Sequence, residues 1–153
     1  MNAKSLESKI LVAALTVMAS LSGPMVAAAE QTPRQAWVAK KGVPGSYKGK
    51  TNPLKMGADV IAKGKALYAK RCLKCHGVGG KGDGEEGAYY DPPPTDLTAL
   101  AGWSGYTDAY IYWSIADGTV GIGKTGMPAL KSKLKVGDIW TIVAYVRKAF
   151  AGK

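Results

Sequence analysis

Cys72-Leu73-Lys74-Cys75-His76 decides how the rest of this chain is read. Two cysteines three apart, followed at once by histidine, form the attachment signature for c-type haem. The order follows from the chemistry: each thiol adds across one haem vinyl group to give a thioether, and the next side chain is placed to ligate the iron through its imidazole. His76 is the only histidine in the sequence, so no other imidazole competes for that role and bis-histidine ligation within this chain is ruled out. A thioredoxin-like redox pair calls for a βαβ pattern nearby, and a zinc site calls for two further ligands. Neither accompanies these cysteines, and the third rival, a disulfide, gives no role to the adjoining histidine.

Working outward, residues 58–71 have helical periodicity, with Val60, Gly64, Leu67 and Tyr68 on one face leading directly into Cys72. Gly64 costs about 1 kcal/mol against alanine inside a helix, so its presence calls for another backbone passing close by. The partner lies at the far end of the sequence, where Ile139, Ile142, Val143, Val146 and Phe150 form a second stripe with Trp140 and Tyr145 at its margin. Asp138 suits that helix's first turn, Arg147 and Lys148 its last, and Gly152 its stop.

The run Gly64-Lys-Ala-Leu-Tyr68-Ala-Lys-Arg-Cys72-Leu-Lys-Cys75-His76, together with Ile142-Val-Ala-Tyr145-Val-Arg147, resembles the class I cytochromes c over residues 57–150. The resemblance implies an all-α cytochrome c fold, with first and last helices crossing at a glycine packed by aromatic rings and one covalently bound haem c between helices and loops. It also implies the remaining site residues. A proline carbonyl after the motif receives the histidine's other N–H, and among Pro92, Pro93 and Pro94 the last is most similar in its setting; a stiff turn before a helix capped by Thr95 or Asp96 is the plainer reading. Met127, in Gly126-Met127-Pro128, is similar to the distal-ligand loop, whereas Met56 precedes the first helix. The metal ligands are then His76 and Met127, and with both axial positions closed the expected function is single-electron transfer between redox proteins. A haem subunit bound to a dehydrogenase or oxidase is the alternative. A peroxidase-like enzyme ranks last, since no second histidine is present.

Gly77-Val-Gly79-Gly-Lys-Gly82 formally matches a dinucleotide-binding fingerprint, but a helix precedes it and a loop follows, the reverse of what that site needs. It is read as a loop passing close to the haem edge. Asp83, Glu85, Glu86, Asp91 and Asp96 form an acidic, solvated stretch lacking the spacing of a calcium-binding EF-hand. Residues 107–116 again read as helix, capped by Thr107 and ended by Gly118. Trp103, Tyr106, Tyr110, Tyr112 and Trp113 crowd this region as core around the porphyrin and as candidate donors to its propionates.

At the beginning of the chain, Lys4 and Lys9 precede an apolar run over residues 10–19, and Ala27-Ala28-Ala29 follows. Residues 1–29 read as a signal peptide cleaved after Ala29, with an uncleaved anchor as the rival. The expected location is the periplasm, with no membrane span after processing. Cleavage removes Lys4, Lys9 and Glu7, which lowers the formal charge of +10 by one. Residues 30–57 read as a basic, largely irregular leader, and residues 58–153 as the cytochrome c domain. In the leader, Trp37 and Tyr47 are candidate anchors of a docking arm, against the blander reading of a solvated tether. A basic exported protein is expected as a monomer with an acidic redox partner, an oxidase or dehydrogenase, and without nucleic acid. Lys70, Arg71, Lys74 and Lys81 beside the motif, and Lys124, Lys131, Lys133 and Lys135 beside Met127, would present the bases.

Overall fold

The computed structural model describes residues 31–119 and 125–152. Within these it is all-helical and has no strand: α1 (Pro33–Lys41), α2 (Ala58–Arg71), α3 (Leu73–His76), a 3-10 turn at Gly87–Tyr89, α4 (Asp108–Asp117) and α5 (Val136–Phe150). The proposed signal sequence, and Lys124, lie outside the described residues.

The two stripes meet as their periodicity predicts. Ile139, Ile142, Val143 and Val146 of α5 are buried, as are Gly64 and Tyr68 of α2. Fully burying an aliphatic side chain of this size contributes about 1.5–3 kcal/mol, so the α5 stripe alone is a large share of the core. The helices cross at Gly64, where a Cβ would stand 2.5 Å from Tyr145 Cβ and 2.6 Å from the Thr141 carbonyl oxygen. Only a residue without a side chain permits that approach. Around the crossing the rings of Tyr68, Tyr145 and Phe150 pack with centroids 5.3–5.8 Å apart. Lys63 of α2 pairs with Asp138 of α5 at 2.8 Å. Trp140 is buried rather than marginal, its ring 4.3 Å from that of Tyr112.

Thr107 caps α4 by accepting the Tyr110 N–H at 3.1 Å, and Gly118 ends the helix at φ 69°. Asp108 in its first turn accepts Arg147 Nε at 2.8 Å and the Asn52 N–H at 2.9 Å, which joins α4, α5 and the end of the leader.

The leader departs from expectation. Its prolines and glycines predict no regular element, yet Pro33–Lys41 is helical, because Thr32 and Gln35 form a reciprocal capping box with Pro33 in the first turn. Trp37 packs on Trp113 at 5.2 Å and Tyr47 on Tyr112 at 5.9 Å. The two aromatics that are candidate anchors of a docking arm, and that the blander reading leaves to a solvated tether, instead pack within the chain against α4.

Candidate haem site

The chain leaves α2 at Cys72, whose N–H donates to the Tyr68 carbonyl at 2.8 Å, and makes one tight turn in which His76 N–H returns to the Cys72 carbonyl at 2.9 Å. Gly77, at φ 74°, stops that turn. This short α3 brings Cys72, Cys75 and His76 to one cavity of about 500 Å³. The two thiols are not bonded to each other. Burial pushes the Cys72 thiol up to about 12, so it is held as the neutral thiol. Burial also lowers the His76 pKa, favouring the neutral imidazole that a metal ligand must present.

The ring Nδ1 of His76 lies 3.3 Å from the Thr95 carbonyl oxygen. The acceptor is thus one residue beyond Pro94, the proline expected to supply it. Pro94 lines the cavity, but its carbonyl faces Gly82, at φ 79°, where any side chain would collide with it. Asp96 rather than Thr95 makes the following turn, accepting the Thr98 and Ala99 N–H groups. The glycine-rich loop also departs from its reading. Gly77, Gly80 and Gly82 pack against Asp83, Phe150 and Pro94, and the Leu97 N–H donates to the Gly80 carbonyl at 2.7 Å. Its glycines fasten one loop to the next, and none of them lines the cavity.

A further part of the wall comes from the end of α4. Gly118 lies so close to the Met127 carbonyl and the Ala129 nitrogen that a Cβ has no room there. Thr119 holds Met127 from both sides: its N–H donates to the Met127 carbonyl at 2.8 Å, and its Oγ1 accepts the Met127 N–H at 2.7 Å. Met127 is partly buried and lines the same cavity as His76. Met56 is 51% exposed and borders a separate hollow beside Asn52, Leu54 and Arg147.

The cavity fits a haem. Its walls are largely apolar, including Leu100, Ile111, Ile115, Leu130, Ile142 and Val146, and its volume lies within the ordinary range for cofactor sites. Tyr106 lines it, and its buried Oη has no hydrogen-bond partner among the described residues. A buried hydroxyl without a partner is costly, and a carboxylate such as a haem propionate is the acceptor that would satisfy it. The aromatic crowd divides: Tyr106 and Tyr110 line the cavity, whereas Tyr112 and Trp113 support Tyr47, Trp140 and Trp37 behind it. Sequence reasoning missed Arg34, which lines the cavity from α1, and Thr119; the capping box Thr32-x-x-Gln35 was the available signal for α1.

The rim carries Lys70, Arg71 and Lys74, but not as a ring of one sign. Lys74 pairs with Glu86 at 3.0 Å, and Lys131 pairs with Asp117 at 2.8 Å. Glu86 lies 12 positions from Lys74 and Asp117 lies 14 from Lys131, and the fold brings each acid against its base.

Known proteins are similar to this chain over the haem-site residues. The family model described as cytochrome C oxidase, cbb3-type, subunit III matches residues 59–146. The cbb3-type cytochrome c oxidase subunit FixP of Bradyrhizobium diazoefficiens is 35% identical over 101 residues, 66% of this chain and 31% of that protein. Thiosulfate dehydrogenase of Stutzerimonas stutzeri is 30% identical over 94 residues, 61% of this chain and 29% of that protein. This chain therefore spans about a third of the length of these relatives. Among solved structures, the reducing HAO-like protein complex of Kuenenia stuttgartiensis aligns at a TM-score of 0.52 and 28% identity, over 63% of this chain and 46% of that one. Since the family match runs through α2, the attachment motif, the cavity and most of α5, the chain belongs to the cytochrome c oxidase cbb3-type subunit III family, a class I-like c-type cytochrome domain whose cofactor is covalently attached haem c.

Proposed function

We propose that this chain is an exported single-electron carrier, working as the haem-bearing electron-transfer unit of an oxidase or dehydrogenase system. Cys72 and Cys75 are the thioether attachment points, and His76 and Met127 are the axial ligands. One observation carries this reading: Cys72, Cys75, His76 and Met127 all line a single apolar cavity, from which Met56 is absent. Haem c, when bound there, supplies the one-electron couple of its iron.

The protein's own work is to position and to insulate. Thr95 orients the His76 ring through Nδ1, leaving Nε2 for the metal. The apolar walls exclude water, and Tyr106 offers a hydroxyl to a propionate. His76 and Met127 would hold the iron and leave it no open position for a substrate, and no second histidine is present in the sequence to serve as acid or base. These features support a carrier that makes and breaks no bond in a substrate, in preference to a peroxidase. The names of the relatives, an oxidase subunit and a dehydrogenase, favour a partner of one of those kinds. Among the described residues no helix is long and apolar enough to cross a membrane. Export, with cleavage after Ala29 into the periplasm, is read from residues 1–29, and the processed protein is taken to be a monomer.

Intact mass of the secreted protein tests the assembly. The expected result is a chain beginning at Glu30 with one haem that resists acid–acetone extraction. Retention of residues 1–29 overturns the processing, and extraction of the haem overturns the thioethers. Co-purification from the native source then identifies the oxidase or dehydrogenase partner.

A further inference from the structure

We propose that the leader helix α1 is a built part of the haem site, and that Arg34, outside the family-matched residues 59–146, is a positioning residue for the loop that carries Met127. The proposal deepens the reading above and rests on it in one respect, that Met127 is the distal ligand.

Arg34 is only 5% exposed, and among the described residues no carboxylate lies within ion-pair distance of it, Asp117 acting on it only from further away. A buried cation is expensive unless other groups receive it. Here the Trp113 ring lies with its centroid 3.4 Å from the guanidinium carbon, Nη1 donates to the Gly118 carbonyl at 2.9 Å, and Nη2 donates to Ser114 Oγ at 3.3 Å. Those acceptors belong to the last turn and cap of α4. Carbonyls there have no partner within the helix, and a positive charge is favoured beside them.

The contacts continue toward the iron site without a gap. Gly118, gripped by Arg34, abuts the Met127 carbonyl, and the next residue, Thr119, bonds Met127 through both N–H and Oγ1. The planar fork of Arg34 fixes the cap, the cap fixes Thr119, and Thr119 fixes the backbone of Met127. Trp37, packed on Trp113, holds α1 in place. A leader acting only as a tether has no use for a buried cation at the end of the one helix that leads into the distal loop.

The test uses the full processed holoprotein with Arg34→Gln and Arg34→Lys. Three readouts are taken: carbon monoxide binding by the ferrous form, the sulfur-to-iron charge-transfer band of the ferric form, and amide hydrogen exchange. Arg34→Gln is expected to bind carbon monoxide at least tenfold more tightly than wild type, with a weakened band. Exchange at Thr119 and Met127 should quicken while amides at the α2–α5 crossing stay protected. Arg34→Lys, which keeps the charge but loses the fork, should fall between. If Arg34→Gln does not accumulate as holoprotein, Arg34→Lys is read in the same way. Wild-type carbon monoxide binding and an unaltered band overturn the proposal, and so does exchange that quickens evenly through the domain. Met127→Ala separates the two levels: if it binds carbon monoxide no better than wild type, the ligand assignment itself fails; if it binds well and the Arg34 variants do not, the brace alone fails.

Discussion

Tyr68 donates its phenolic hydrogen to the Gly77 carbonyl at 2.8 Å, tying the last turn of α2 to the residue that follows His76. Tyr68 is 2% exposed, so the carbonyl has no water to turn to when that hydroxyl is removed. Tyr68→Phe, which keeps the ring packing on Tyr145 and Phe150, should cost about 0.5–1.5 kcal/mol, the net worth of one hydrogen bond, because the Gly77 carbonyl still accepts the Gly80 N–H at 3.3 Å. Denaturant unfolding of the holoprotein, with the slope unchanged, measures it.

Gly64→Ala should be destabilising by about 1–3 kcal/mol, because the added methyl meets the Thr141 backbone and the Tyr145 Cβ, neither of which is the free end of a flexible side chain. Gly137→Ala, early in α5 with open space around it, should instead be stabilising by about 0.5–1 kcal/mol. Thermal melts of the pair give shifts of opposite sign if the crossing is packed as described.

Met127→Ala should convert a ferrous protein that binds carbon monoxide poorly into one that binds it readily, while Met56→Ala should leave binding as it was. Spectrophotometric titration distinguishes them. Equal behaviour of the two variants would remove Met127 from the ligand set and restore weight to an enzyme reading.

Tyr106→Phe should lower the reduction potential. Loss of the donor leaves a propionate's negative charge less delocalised, which favours the ferric state. The expected fall is about 20–60 mV, where 59 mV is tenfold in equilibrium for one electron. An unchanged potential in a redox titration would mean that Tyr106 Oη faces no carboxylate.

Electron transfer to the physiological partner should slow as salt rises through the range in which the Debye length contracts to about 8 Å. Lys70→Glu and Arg71→Glu, at the cavity rim, should lower the second-order rate more than Lys74→Glu, since Lys74 already shares its charge with Glu86. Stopped-flow rates indifferent to salt would exclude an acidic partner at this rim.

Much of this was legible from the chain because it depends on local rules. The Ile139–Val146 stripe, the glycine at the crossing and the Thr107 cap each follow from helical period or capping chemistry. The attachment motif is read from five consecutive residues. What escaped depends on distance or on register. Arg34 reaches Gly118 across 84 positions, and nothing in a leader rich in glycine and proline marks one of its several bases as buried. The acceptor for His76 shifted from Pro94 to Thr95 because the turn of a loop, not its composition, decides which carbonyl points inward. The ion pairs of Lys74 and Lys131 were hidden for a similar reason: fourteen positions separate Asp117 from Lys131 in the chain, and folding brings them together.

The crossing of α2 with α5 also sets an order of events in biosynthesis. Cys72, Cys75 and His76 lie within five consecutive residues and are presented by the unfolded chain, whereas the contacts between α2 and α5 that shut the cavity span nearly the whole domain. Contacts of that range form late and slowly. Cys72, buried in the finished fold, is open to chemistry only in that interval. On the proposed reading, thioether formation therefore precedes the docking of α5 on α2, and α5 is the latch that closes behind it.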